Sequence, residues 1–347
     1  IDANLNRSAE GLRVLEDIAR FLLNDARLTQ ELRAIRHDLA RETKPLSAKL
    51  LSQRDSEHDV GRSDENVIPR SEATWQSHED LAHLVRANAK RVGESLRVME
   101  ELAKLPEMNS LMNSAEFEQA RFTLYTLEQE LLSRVLRQDK TRRLSGLYVI
   151  LDRQAIAGRD EVEAASQAIA GGASVIQLRD KQSSKGELVL IAQKLKELCA
   201  KAGILLIIND YLDLALAVDA DGLHIGQEDL PLPIIRKEMP IDKIVGCSVN
   251  TVSQAVRAQE KGADYIAVGS IFPTTTKKDA TVVGIDGLKE VKQAISCPLV
   301  AIGGINEDNV SSVMAAGADS IAVISAVSDK EDIKGAVERL IAEMNKE

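Results

Sequence analysis

Hydrophobic positions change their period near residue 145. Before it they recur at helical spacing: Leu12, Leu15, Ile18 and Ala19 form one stripe, and Leu96, Met99, Leu102 and Ala103 another. Beyond it, short apolar runs at 147–151, 174–178, 204–208, 222–225, 243–248, 265–269, 299–302 and 320–324 alternate with segments of helical length, such as 185–201, 252–261 and 309–316. Strands alternating with helices imply βα units and parallel pairing. Eight units predict an α/β chain whose C-terminal part is a (β/α)8 TIM barrel, preceded by an all-α bundle.

The helical half carries an internal repeat. Residues 3–19 and 87–103 agree at nine positions with a constant offset of 84. Each copy leads to a second helical segment, 28–44 or 116–138, so the bundle is read as two related helix pairs with pseudo-twofold symmetry. The polar stretch 54–75 between the pairs reads as either a functional loop or a disordered one. Repeated polar residues include Asn4, Arg7, Glu10, Arg13 and Glu16, and their counterparts Asn88, Arg91, Glu94, Arg97 and Glu100. Either they are solvated faces with Glu–Arg pairs at i,i+3 spacing, or they line an anion-binding cleft at the pseudo-twofold axis.

Composition supports two domains, 1–143 and 144–347. The first 145 residues hold 18 Arg and 5 Lys, the remainder 6 Arg and 15 Lys, and 17 of the 20 Gly lie after residue 145. The basic stretch 140–143 reads as a linker. A net charge of −10 opposes nucleic-acid binding. No apolar run approaches the ~20 residues of a membrane span. Three separated cysteines and no visible signal segment lead to the expectation of a cytoplasmic protein without disulfides. The expected partners are small-molecule substrates, with room for a homo-oligomer.

Barrels of this kind place their chemistry just past the C-terminal ends of the strands. Those positions hold Gln177, Arg179, Asp180 and Lys181 after strand 2, Asn209 and Asp210 after strand 3, and Asp229 after strand 4. They also hold Ser248 after strand 5, Thr274, Thr276 and Lys277 after strand 6, Gly304 after strand 7, and Ile324 and Ser325 after strand 8. Asp210 and Asp229 suit Mg2+, which takes one or two carboxylates and bridges to substrate phosphates. Arg179, Lys181 and Lys277 add the positive charge that a pyrophosphate group needs. Gly303-Gly304 and Ser325 suggest a second phosphate site. His224, on strand 4 before the rim, reads as structural or as outer support for the site.

The stretches Gln177-Leu-Arg-Asp-Lys181, Asn209-Asp210, His224-Ile-Gly-Gln-Glu-Asp229, Pro273-Thr-Thr-Thr-Lys277, Gly303-Gly-Ile305 and Ile324-Ser-Ala326 resemble thiamine phosphate synthase. The resemblance covers residues 145–347. It implies joining 4-amino-2-methyl-5-hydroxymethylpyrimidine diphosphate to a thiazole phosphate, plain or carboxylated, with release of pyrophosphate and, from the carboxylated form, of CO2. It assigns Gln177, Arg179, Asp180, Lys181, Asn209, Ser248 and Lys277 to the pyrimidine diphosphate, with Arg179, Lys181, Ser248 and Lys277 catalytic. It assigns Thr274, Thr276, Gly304, Ile324 and Ser325 to the thiazole phosphate, and Asp210 and Asp229 to Mg2+. Asn250 stands where many members have His. A sister group, the thiazole tautomerases, lacks the paired aspartates.

The helical half resembles the second, non-ribokinase type of ThiD domain in Asp2-Ala-Asn-Leu-Asn-Arg7, Glu10-Gly-Leu-Arg-Val14 and Asp59-Val-Gly61. That implies phosphorylation of the pyrimidine monophosphate with ATP as co-substrate, at Asn4, Arg7, Asp59, Gly61, Asn88 and Arg91. No Walker-type phosphate loop or protein-kinase signature accompanies it. The competing readings are another phosphate-binding barrel enzyme, such as a sugar-phosphate isomerase, and a helical half that only dimerises or regulates.

Overall fold

The computed structural model describes residues 1–44, 46, 78–156, 158–274 and 281–346. The chain divides into two compact units, Ile1–Leu136 and Arg137–Glu347.

In the first unit, α1 (Asp2–Asp17) runs into a single π-helical turn, Ile18–Leu22. Asp25 caps α2 (Ala26–Glu42), accepting from Leu28 N–H at 3.0 Å. Helices α3 (His78–Ala103) and α4 (Ser114–Arg142) follow, α4 crossing the boundary between the units. The predicted stripes close on one core: Leu12, Leu15, Ile18 and Ala19 are buried with Leu96, Met99 and Ala103 among Leu28, Leu32, Phe117 and Leu124. Fully burying each large apolar side chain is worth about 1.5–3 kcal/mol. The repeated helices cross at Gly11, where a Cβ would lie 2.6 Å from Val92 Cγ2, so only glycine admits this approach.

Of the repeated glutamates, Glu16 and Glu100 are buried ion-pair anchors rather than members of solvated faces. Glu16 accepts from Arg33 at 2.7 Å and Arg36 at 3.0 Å, both on α2. Its counterpart Glu100 accepts from Arg97 at 2.9 Å, Lys104 at 3.0 Å and, from α4, Arg121 at 2.9 Å. Burial alone would raise both carboxyl pKa values. The hydrogen bonds, from Arg33 and Arg36 to Glu16 and from Lys104 and Arg121 to Glu100, hold both below the ordinary value.

The second unit is a closed barrel of eight parallel strands in sequence order. The strands are β1 (Gly146–Asp152), β2 (Val175–Arg179), β3 (Leu205–Asn209), β4 (Gly222–Ile225), β5 (Ile244–Val249), β6 (Tyr265–Val268), β7 (Leu299–Ile302) and β8 (Ser320–Val323). Between them run α5 (Glu161–Ala170), α6 (Lys185–Ala202), α7 (Leu212–Ala217), α8 (Leu232–Glu238), α9 (Val252–Glu260), α10 (Gly284–Ala294) and α11 (Val310–Ala315). The short α12 (Ser325–Ser328) and the closing α13 (Ile333–Met344) follow β8.

Strand alternation splits the barrel into two cores. Leu147, Val149, Ile176, Leu206, Leu223 and Val245 face the helices. Tyr148, Ile150, Val175, Leu205, Ile207, Ile244 and Tyr265 fill the interior. The inward parity continues toward the strand ends through Asp152, Gln177, Arg179, Asn209, His224 and Ser248. The alternation that packs the interior thus delivers polar side chains to the C-terminal rim.

At the other end, Asp264 accepts from Val245 N–H at 2.7 Å and pairs with Arg137 at 2.7 Å and with Arg236. The basic stretch 140–143 is not a free linker: through Arg142 it is helix, and Lys140 donates to Asp242 O at 2.7 Å. Positive charge in the last turn of α4 also suits the helix dipole.

Candidate active site

The rim is built from short loops that follow inward-facing strand ends. Asp152, 3% exposed, pairs with Arg179 across the register that sets the two residues side by side. Asp180 is also buried. Its Oδ1 accepts from Gln182 N–H at 2.7 Å and Ser183 N–H at 3.1 Å, which folds the β2–α6 loop. Its carboxyl pKa lies below the ordinary value because hydrogen bonds from Ser183 and Gln182 outweigh burial. Lys181, on that loop, reaches Asp210 at 3.0 Å.

Asp210 sits in the left-handed region at φ 63°, which non-glycine residues rarely adopt. Its N–H donates to His224 O at 2.8 Å, and Tyr211 N–H closes a three-residue turn on Asn209 O at 2.7 Å. Neighbours thus impose this backbone, as is common where a side chain must be aimed. The Asp210 and Asp229 carboxyls stand close enough to interact. Burial raises the Asp210 pKa, Asp229 raises it further, and Lys181 opposes both. Asp229 in turn accepts from Gly226 N–H at 2.7 Å.

Two carboxylates pressed together, one with an elevated pKa, form a donor set that a divalent cation would relieve. Among the described residues no group of three or more His, Cys, Asp or Glu side chains is arranged to hold a metal. Two carboxylates still fit Mg2+, which keeps several waters and takes its remaining oxygens from substrate phosphates.

Of the second expected anion site, the β6 loop and the Gly-Gly turn come together. Gly303 and Gly304 have φ of 100° and 68°. A Cβ on Gly304 would lie 2.6 Å from Pro273 O, so the β6 loop that carries Thr274 rests against the Gly-Gly turn. Ile324 and Ser325 lead into α12 beside them in sequence. Asn250 donates to Gly269 O at 3.1 Å, tying the end of β5 to β6. Thr276 and Lys277 lie outside the described residues.

Sequence reasoning read His224 as structural or outer support but missed the two tyrosines that join it beneath the rim. Tyr148 and Tyr265 meet inside the barrel at 3.0 Å, Gln177 donates to Tyr148 at 2.8 Å, and His224 bridges Tyr265 at 3.0 Å and Ser248 at 2.8 Å. Burial pushes the His224 pKa down to about 4, so the imidazole is neutral near pH 7. The available signal was parity: both tyrosines stand on strands at inward positions, in register with the polar ends.

In the helical unit, Asn4, Arg7 and Arg91 line one cavity of about 570 Å³ with Glu10, Glu94, Ser95 and Val98. Two of the repeated pairs, Arg7 with Arg91 and Glu10 with Glu94, therefore converge. Asn88 does not join them: it is buried and donates to Leu84 O at 2.8 Å. Asp59 and Gly61 lie outside the described residues.

Comparison with known proteins agrees with both halves. Residues 147–327 match the family model of thiamine monophosphate synthase, and residues 1–130 match the ThiD2 family. A thiamine-phosphate synthase of Synechococcus sp. (strain CC9311) is 37% identical over 98% of this chain and 94% of its own. One from Clostridium tetani is 50% identical over 57% of this chain and 95% of its own, without a counterpart to the helical half. The solved thiamine phosphate pyrophosphorylase of Pyrococcus furiosus superposes with a TM-score of 0.55 at 41% identity, covering 58% of this chain and 96% of that one. With the barrel and its rim in view, the chain belongs to the thiamine monophosphate synthase family and carries a ThiD2-family helical half.

Proposed function

We propose that the barrel joins 4-amino-2-methyl-5-hydroxymethylpyrimidine diphosphate to a thiazole phosphate, releasing pyrophosphate. The carrying observation is the contact between Asp210 and Asp229 at the rim, with Lys181 on Asp210. Asp210 and Asp229 would hold Mg2+, which when bound neutralises charge on the diphosphate. Arg179, Lys181 and Lys277 stabilise the same charge as the C–O bond to pyrophosphate breaks and its electron pair leaves with the pyrophosphate. The electron-rich aminopyrimidine carries the resulting methylene cation, held by Gln177, Asn209 and Ser248, with Asp180 shaping the loop beside it. The thiazole nitrogen lone pair then forms the new C–N bond, so the coupling needs no net proton transfer. Thr274, Thr276, Gly304, Ile324 and Ser325 hold the thiazole phosphate.

The helical unit supplies the diphosphate by transferring phosphate from ATP to the pyrimidine monophosphate. Its cavity, with Asn4, Arg7 and Arg91, supports this reading, because two arginines and two glutamates suit a phosphate ester that also carries an amino group. Asp59 and Gly61 complete the residues that the resemblance implies, whereas Asn88, turned to its own backbone, has no part in this reading. The test is turnover by the full chain. Pyrimidine diphosphate plus thiazole phosphate should give thiamine phosphate and pyrophosphate in equal amounts. Pyrimidine monophosphate plus ATP should give the diphosphate, and Arg7→Ala should slow that step alone. Coupling without any ATP-dependent step would leave the helical unit as an interaction module.

A further inference from the structure

Inside the barrel, five polar side chains from five strands form one unbroken hydrogen-bonded chain. Gln177 on β2 donates to Tyr148 on β1, Tyr148 meets Tyr265 on β6, Tyr265 meets His224 on β4, and His224 meets Ser248 on β5. The links measure 2.8, 3.0, 3.0 and 2.8 Å. Four of the five are buried: Gln177 and Tyr148 are each 2% exposed, Tyr265 0% and His224 8%. The two ends, Gln177 and Ser248, are the residues that the proposed function sets against the pyrimidine.

A hydroxyl in such a chain that accepts from one neighbour has its proton left for the other. Gln177 spends an amide N–H on Tyr148, so the Tyr148 hydroxyl donates onward to Tyr265. Tyr265 then donates to His224 Nδ1, which leaves Nε2 as the ring nitrogen that faces Ser248 with its proton. Nε2–H donates to Ser248 Oγ, which leaves the serine proton pointing into the site as a donor. At the other end the same choice leaves Gln177 Oε1 as an acceptor. An aminopyrimidine offers both complements: an exocyclic amino group that donates and ring nitrogens that accept.

We propose that Tyr148, Tyr265 and His224 are positioning residues: their chain fixes Ser248 as a donor and Gln177 as an acceptor, and so matches the site to an aminopyrimidine. Glycine at 246 is part of the same device, because a Cβ there would lie 2.0 Å from the Tyr265 ring. The proposal rests on the reading of Gln177 and Ser248 as pyrimidine contacts, and the experiment separates the two.

The experiment is a double-mutant cycle in the full-length protein, measuring kcat and KM for the pyrimidine diphosphate with thiazole phosphate saturating. Tyr265→Phe keeps the ring and removes the hydroxyl. It should lower kcat/KM roughly tenfold, and the loss should vanish in the Ser248→Ala background, because the two changes act through one hydroxyl. His224→Leu should show the same dependence, and His224→Gln, whose amide nitrogen reaches the place of Nε2, should recover most of the activity. KM for the thiazole phosphate should stay unchanged throughout. Losses that multiply in the double variant, or no recovery with His224→Gln, would overturn the relay while leaving the site reading intact. Full activity of Ser248→Ala alone would instead overturn the pyrimidine assignment beneath it. Should Tyr265→Phe lose its cooperative thermal transition, Tyr148→Phe carries the same cycle with Gln177→Ala.

Discussion

The glutamate anchors of the helical unit and the hydrogen-bonded chain inside the barrel bury polar groups by opposite strategies. In the helical unit, Glu16 and Glu100 are buried as charges, each gripped by basic side chains. Inside the barrel, Gln177, Tyr148, Tyr265 and His224 are buried without charge and satisfy one another in a chain that ends at the rim. A buried charge must be paired, and removing its partner is costly, so it serves to lock helices in place. A neutral hydrogen-bonded chain orients groups without a strong field, so it suits the floor of a site whose charges stand at the mouth. The repeat makes this visible, since the glutamates kept in both copies divide into buried anchors and, at Glu10 and Glu94, cavity walls.

Breaking an anchor should have the largest effect on stability. Glu100→Ala leaves Arg121 buried beside an empty position, and the helical unit should lose about 3 kcal/mol, the low end for a broken buried pair because Arg97 and Lys104 can turn to solvent. Denaturant unfolding of the full chain, followed by Tyr and Trp signals, would show the helical transition shift while the barrel transition stays. In the barrel, Gly246→Ala should cost about 1–3 kcal/mol through overpacking against Tyr265. It should also lower synthase turnover without affecting ATP use.

Acid should sharpen the contrast further, with a smaller and graded effect. The folded-state pKa values of Glu16 and Glu100 lie below the unfolded value of 4.5. Their contribution is therefore complete above that value and is lost as pH falls through the folded pKa. Thermal midpoints of the helical unit should decline below about pH 4.5, and Glu16→Gln with Glu100→Gln should flatten that dependence. An unchanged slope in the double variant would remove the anchors from the account.

Much of this was readable from residue order, for physical reasons. Barrel strands buried on both faces give apolar runs too regular to miss, and Asp210 and Asp229 stand out because they lie on the short loops that follow such runs. Tyr148 and Tyr265 were not found, because an inward tyrosine on a strand reads as core until its hydroxyl partners are known. The repeat revealed the helix pairs but overstated their symmetry. Asn4 lies in the first turn of α1, whereas Asn88 sits well inside the longer α3 and turns to its own backbone. Glu16 and Glu100 were read among polar faces because helical spacing places i,i+3 partners nearby, and only α2 and α4 show where they point.

The account depends most on Asp210 and Asp229. The direct measurement is pyrophosphate release by Asp210→Asn combined with Asp229→Asn, across a Mg2+ titration and beside the unchanged protein. Turnover in the unchanged protein should rise with Mg2+ and fall on the order of 10²–10³-fold in the variant at every concentration, as expected for loss of a main electrostatic stabiliser. Equal turnover by the two proteins, or full activity of the unchanged protein after chelation, would contradict it.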